Sequence, residues 1–337
     1  MNDTALNHYL EPLNKFLEDS NISEISINEP GMVYIERLGF MQKNHVPELT
    51  YYWLQGLANL VARFSNQILS ERNPLLSAAL PHGHRIQIVM PPASEANKLI
   101  FSIRKQVISD LSLDQYEAMR FFKEVKPHTI KTHRSHLNLS EEEISLAKLF
   151  SEKNYLQFLK NAILLKKNIL ISGGTSTGKT SFLNACLKEI PHHERIITLE
   201  DVREINIPHE NKVNLLASKG EQGIAKVTMV ELIEASLRLR PDRIIMGELR
   251  GREAADFINA TATGHEGSLA TIHASNPSIA LMRLVHMVKL NPSMTLSRED
   301  ILADLHHLID IIVQLKRVHR NGTQIRYVSE IYSAFNS

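Results

Sequence analysis

Leu6, Tyr9, Leu10, Leu13, Phe16 and Leu17 recur three or four positions apart, so the chain opens on an amphipathic helix. The period then drops to two in Ile22-Ser23-Glu24-Ile25-Ser26-Ile27 and Met32-Val33-Tyr34-Ile35-Glu36, with Asn28-Glu29-Pro30-Gly31 between them. That predicts two short strands about a turn. Helical spacing returns over 49–64 through Trp53, Leu54, Leu57, Leu60 and Val61, and strands follow at 85–89 and 99–104 around a Pro91-Pro92 loop. Mixed elements of this kind predict a small α+β domain over residues 1–106.

Residues 107–155 hold no strand-like run and read as a linker with two helices. Leu111, Leu113, Tyr116, Met119 and Phe122 carry the first; Ile144, Leu146, Leu149 and Phe150 carry the second, opened by a Ser140/Glu143 capping box. Between them 123–136 is rich in Lys and His and reads as an extended, exposed connection. Over 156–337 strand and helix patterns alternate. Strands are predicted at 168–172, 195–199, 213–216, 243–247 and 268–272, with helices after 182 and at 228–239, 253–262, 277–290 and 297–308. A hairpin of 310–318 and 326–331 about Asn321-Gly322 closes the chain. The alternation implies an α/β domain with a mainly parallel sheet, whose ligands gather at the carboxyl ends of the strands.

Composition narrows the class. Of 337 residues 43% are hydrophobic and 22% charged, ordinary for a globular protein, and a formal charge of +1 gives no general attraction to nucleic acid or anionic membrane. The one cysteine, Cys186, excludes an internal disulfide and a cysteine-cluster zinc site, and its place on a helical pattern makes it a core thiol. MNDTALNHYLEPL has no charged-then-apolar secretory pattern, and no apolar run approaches the ~18 residues of a membrane span. A cytoplasmic protein with at most a peripheral membrane association is expected.

The candidate chemistry begins where the apolar run 168–172 breaks at two glycines. Gly173, Gly178, Lys179 and Thr180 fit G-x-x-x-x-G-K-[ST] between a predicted strand and a predicted helix. Backbone N–H groups of such a loop curl around phosphate, the helix adds its positive end, the lysine reaches the terminal phosphates and the threonine hydroxyl meets Mg²⁺. The expected nucleotide-binding set is Gly173, Gly174, Thr175, Ser176, Thr177, Gly178, Lys179, Thr180 and Ser181. Three polar groups sit at other predicted strand ends: Glu200-Asp201, Glu248, and His273 with His265 upstream of the same strand. A triphosphatase needs carboxylates for Mg²⁺ and the attacking water, and a polar group near the γ-phosphate. Gly247 stands where a magnesium-binding Asp is common, so Thr180 and waters would hold the metal, with Glu248 acting through water. Which of Glu200 and Glu248 is the general base stays open. Arg85 starts one predicted strand and Arg104 ends another, where a solvated arginine is the ordinary reading.

GGTSTGKT, ITLEDVREI, RPDRIIMGELRGREA and TGHEGSLATIHA occur in that order over 169–274. They resemble the Walker A, aspartate-box, atypical Walker B and histidine-box motifs of the hexameric secretion ATPases, which serve type II secretion, type IV pili and type IV secretion. HGHRIQIVMPP and FSIRK resemble the N-terminal domain of the type IV secretion branch. The resemblance implies a RecA-like P-loop domain that uses ATP and Mg²⁺, with Glu200 facing the attacking water and Glu248 beside the magnesium shell. It also implies His273 and His265 sensing the γ-phosphate or coupling subunits, Arg85 and Arg104 approaching the phosphates, and Arg240 acting across a subunit boundary. A single cysteine cannot supply the zinc insertion of type II and pilus-extension enzymes, and 107–155 is long for a pilus-retraction enzyme.

The expectation is a homo-hexameric cytoplasmic ATPase on the cytoplasmic face of the inner membrane. It would dock on inner-membrane components of a secretion channel or pilus assembly, power translocation of a protein or nucleoprotein, and make no sequence-specific nucleic-acid contact. The long linker would let an N-terminal domain pack over a neighbour's nucleotide domain. The alternatives are a pilus-retraction or type II secretion motor, and a nucleotide-gated scaffold that turns over slowly.

Overall fold

In the computed structural model, which describes residues 4–105, 110–130, 139–217, 227–320 and 323–336, the chain divides into two compact units. One centres on residues 4–105; the other takes nearly all described residues from 110 on.

The first unit runs α1 (Thr4–Leu17), β1 (Ile22–Glu29), β2 (Met32–Arg37), β3 (Phe40–His45), α2 (Tyr51–Phe64), β4 (Leu75–Ala79), β5 (Arg85–Val89) and β6 (Ile100–Arg104). Its six strands are ordered β3-β2-β1-β6-β5-β4. Alternation decides which face is covered: Ile25, Ile27, Val33, Ile35, Ile86, Ile88, Phe101 and Ile103 form one core with the apolar stripes of α1 and α2. Trp53 Nε1 donates to the Tyr9 carbonyl at 3.0 Å, and the two rings stack. Burial thus satisfies the indole N–H instead of stranding it.

The second unit begins with α3 (Leu113–Ala118), β7 (Lys126–His128), α4 (Glu141–Ser151) and α5 (Tyr155–Leu164). Ser140 and Glu143 make the expected reciprocal cap on α4. The described residues of the stretch read from sequence as a linker join this unit's core: Leu113, Tyr116, Phe121, Phe122, Leu146 and Phe150 pack with Phe158 and Phe182. Within the supposedly exposed connection, 126–128 instead pairs as β7, and 131–136 falls outside the described residues. His128 pins this strand, its Nδ1 2.6 Å from Glu330 and its Nε2 2.8 Å from the Ser278 hydroxyl.

Then follow β8 (Ile169–Gly173), α6 (Lys179–Leu187), β9 (Ile196–Glu200), β10 (Lys212–Leu216), α7 (Met229–Arg238), β11 (Arg243–Leu249), α8 (Glu253–Ala262), β12 (Leu269–Ile272), α9 (Pro277–Val288), α10 (Arg298–Leu308), β13 (Ile311–Arg320) and β14 (Thr323–Ser333). The eight-stranded order is β10-β9-β11-β12-β8-β13-β14-β7. The pairs β10–β9, β9–β11, β11–β12, β12–β8, β8–β13 and β14–β7 are parallel. Helices cover both faces, so neither parity of a strand can be polar: Ile169 and Ile171 enter the core on the α5/α6 side, Leu170 the core on the α8/α9 side. Cys186 is buried there, and burial pushes its thiol far above the usual range. Residues 321–322, read as the hairpin turn, lie outside the described residues. Among the described residues no helix is long and apolar enough to cross a membrane.

Candidate active site

Because β9, β11, β12 and β8 are parallel neighbours, their carboxyl ends share one edge of the sheet. Along that edge stand Glu200, Glu248, His273 and the loop 173–178 that leads into α6. Gly178 opens α6 at φ +90°, a left-handed conformation that suits glycine. Thr177 Oγ1 donates to the Gly174 carbonyl at 2.9 Å, closing the loop on itself. Lys179 is buried, and its Nζ lies 3.1 Å from the carbonyls of Gly173 and Gly174 and 3.2 Å from His273 Nε2.

His273 Nε2 is also 2.7 Å from Glu248 Oε1. Burial, then the adjacent Lys179 charge, holds this imidazole below its ordinary pKa, so near neutral pH it carries one proton. With Nε2–H given to Glu248, Nδ1 faces Lys179 at 3.5 Å. Glu248 Oε2 accepts from Arg250 Nε at 2.8 Å, and Arg250 also binds Asp201. Lysine, histidine, glutamate and arginine therefore form one chain of contacts from phosphate loop to aspartate box.

The strand carrying Glu248 is irregular. Met246 pairs with Ala270 and Leu249 with Ile272, three residues along β11 for two along β12. An extra residue of this kind re-aims side chains, and it carries β11 two residues past the predicted end at 247. The departure at Gly247 has a steric cause: a Cβ there would lie 3.2 Å from Glu200 Cγ and 3.4 Å from the Leu199 carbonyl. Gly247→Ala is expected to destabilise the protein by about 1–3 kcal/mol through this overpacking and to lower turnover by displacing Glu200. Urea unfolding beside an ATPase assay checks both; wild-type values in each would remove the steric account.

Glu200 is 2% exposed. Its Oε1 accepts from the backbone N–H of Glu204 at 2.8 Å and of Ile205 at 2.7 Å, while its buried Oε2 has no partner among the described residues. Burial raises its pKa to about 7, against the lowering effect of the two N–H donors. The turn held by Glu200 brings Glu204 to Thr180, whose Oγ1 donates to Glu204 Oε2 at 3.1 Å. Glu204 and Arg250 were not singled out from sequence. Both lie inside the motif stretches, but only folding shows that Glu204 returns to Thr180 and that Arg250 joins Glu248 to Asp201.

The structure thus gathers Lys179, Thr180, Glu200, Asp201, Glu248 and His273, and leaves other candidates elsewhere. His265 precedes β12, Nδ1 3.2 Å from the Ala260 carbonyl. Exposed Arg240 precedes β11 at φ 54°. Both stand at the amino ends of parallel strands, a strand length of ~13 Å from the phosphate-loop edge. Neither meets the loop of its own chain. In the first unit Arg85 and Arg104 are directly opposed on β5 and β6, and Glu24 opposes Arg104 from β1. Like charges so opposed repel.

This edge, with its phosphate loop, strand-end acids and histidine, defines an NTPase of the secretion-motor class. The model of the family "Type II/IV secretion system protein" matches residues 7–325, so the chain belongs to that family, and within it to the type IV branch of the secretion ATPases. It is 40% identical over 328 residues to the type IV secretion system protein VirB11 of Bartonella henselae, covering 96% of this chain and 91% of that one. It is 34% identical over 348 residues to PtlH of Bordetella pertussis, covering 98% of each. Among solved structures it resembles the VirB11 ATPase of the Brucella suis type IV secretion system in complex with sulphate, at 37% identity and TM-score 0.54 over 98% of this chain and 99% of that one. The pilus retraction motor PilT with bound ADP shares the fold, with TM-score 0.58 at 17% identity over 96% and 82%.

Proposed function

We propose that this protein is the ATP-hydrolysing motor of a type IV secretion system, and that it works as a ring of six copies. The observation that carries the reading is the contact chain Lys179–His273–Glu248, which links the phosphate loop to the Walker B acid. The loop N–H groups cradle the phosphates, and Lys179 spreads the charge that develops on the terminal one. Glu200 is the general base. Its pKa near 7 matches the operating pH, and its Oε2, which has no partner among the described residues, is the oxygen left to take a proton. Both oxygens of Glu248 are already engaged, by His273 and by Arg250; Glu248 orients His273, which reports the γ-phosphate.

The residues fit a magnesium ion. The Thr180 hydroxyl meets the Glu204 carboxylate, and Glu200, which holds the Glu204 backbone, has a buried oxygen with no partner among the described residues. Thr180, with Glu248 through water, would hold the ion, which would supply charge neutralisation between the phosphates. Arg85 and Arg104, paired in register on β5 and β6, offer two cations for a phosphate. His265 and Arg240, remote from their own loop, act at a neighbour's site. The ring sits on the cytoplasmic face of the inner membrane, docks on channel or pilus-assembly components, and moves protein or nucleoprotein without reading nucleic-acid sequence.

Native mass determination is expected to find six copies when ATP and magnesium are present. A monomer throughout the tested concentration range would overturn the ring, and with it any role for His265 and Arg240 at the nucleotide.

A further inference from the structure

We propose that Arg326, on the C-terminal strand β14, is a positioning residue of the phosphate loop, fixing the Ser176–Thr177 peptide with its N–H toward the bound phosphates. The proposal rests on the nucleotide site argued above and adds a residue outside all four motifs. Across the sheet, β12 with His273 flanks β8 on one side, and β13 followed by β14 flanks it on the other. Arg326 therefore reaches the loop from the side away from the acids. Its Nε donates to the Ser176 carbonyl at 3.0 Å, a contact between residues 150 positions apart. Its Cδ lies 3.7 Å from where a Cβ on Gly178 would stand, so the stem runs along the outside of the loop from 176 to 178.

The chemistry follows from the peptide plane. In a trans peptide the C=O of one residue and the N–H of the next point in opposite directions. With the Ser176 oxygen held outward on a guanidinium, the Thr177 N–H is turned inward, where a phosphate cradle needs it. Ser176 takes φ +58°, unfavourable for a residue with a side chain, so this peptide does not hold its orientation on local preference alone. Thr177 Oγ1 on the Gly174 carbonyl braces the loop from within, and Arg326 braces it from without. The rigid guanidinium fork suits that task better than a flexible ammonium.

The test compares full-length wild type, R326A, R326K and K179A by equilibrium binding of a fluorescent ATP analogue and by steady-state hydrolysis. Losing a charge-assisted hydrogen bond that orients one donor is expected to raise the analogue Kd and the ATP KM of R326A about 10-fold, with kcat at saturation within about twofold of wild type. R326K should fall between, at about threefold, and the melting temperature without nucleotide should stay at the wild-type value. Wild-type Kd and KM in R326A, beside a K179A that has lost binding, would overturn the role of Arg326. So would a fall in kcat at unchanged KM. Undiminished binding by K179A would instead overturn the nucleotide site itself. If R326A does not fold, a wild-type KM in R326K would make Arg326 merely structural and end the proposal.

Discussion

Lys179→Ala is expected to lower ATP hydrolysis by at least about 10³-fold, the scale of removing a principal donor to the charge that develops on a transferred phosphoryl group. Alanine would remove the only cation that α6 presents to the Gly173 and Gly174 carbonyls and would also unlink His273 from the loop. The second loss is why Lys179→Arg should not rescue. A planar guanidinium is wider than an ammonium and cannot seat between two carbonyls and an imidazole at about 3 Å. Phosphate release from a preparation free of contaminating ATPase measures both variants. Turnover within tenfold of wild type in Lys179→Ala would overturn the assigned site.

Glu200→Gln is expected to abolish turnover while making the protein more stable above neutral pH. Burial raises the Glu200 carboxyl from 4.5 to about 7, so the folded chain holds that proton more tightly than the unfolded one. The stabilisation this gives is complete below about pH 4.5 and is lost as pH rises through about 7, a swing of up to about 3 kcal/mol. Glutamine has no such titration, yet its amide oxygen can still accept from the Glu204 and Ile205 N–H groups. The variant should therefore match wild type near about pH 5 and exceed it near about pH 8 in denaturant midpoint. Wild-type turnover should climb over the interval in which wild-type stability falls, and the variant should lose about 10²-fold or more of it. Equal, near-zero rates in both proteins would favour a nucleotide-gated scaffold over a motor. A stability difference that does not vary with pH would show that the buried carboxyl is not the group that titrates.

The elements that the sequence showed most clearly are those whose partner is water on one side or protein on both. α1 and α2 carried helical stripes, and β8, β9 and β11 were short runs rich in isoleucine and other apolar residues; all five exist near their predicted bounds. β3 was missed because Phe40–His45 has no apolar alternation and is exposed along nearly its whole length. It forms through its register with β2 across the Leu38-Gly39 turn, both residues at positive φ. β7 was missed for a different reason: three residues with a central proline become a strand only because β14, some 200 positions later, supplies an edge. At the site, spacing and residue type were enough to nominate Lys179, Glu200, Glu248 and His273. What spacing cannot show is a side chain crossing from one strand end to the next, which is how Glu204 reaches Thr180 and Arg250 reaches Asp201. His265 and His273 share one motif stretch, yet β12 runs between them and sets them at opposite ends of the same strand.

The extra residue in β11 gives the position of Glu248 a digital character. Deleting Gly247 alone would keep every acid, histidine and arginine in the chain, yet would let β11 run in step with β12 from Met246 onward. A bulge re-aims the side chains within it, and regular pairing takes that freedom away. Leu249 would keep its place opposite Ile272, while Glu248 would be drawn into step opposite Thr271 and off the path by which it now meets His273. A chain can thus keep every charged group of the site and lose the enzyme to an error in counting.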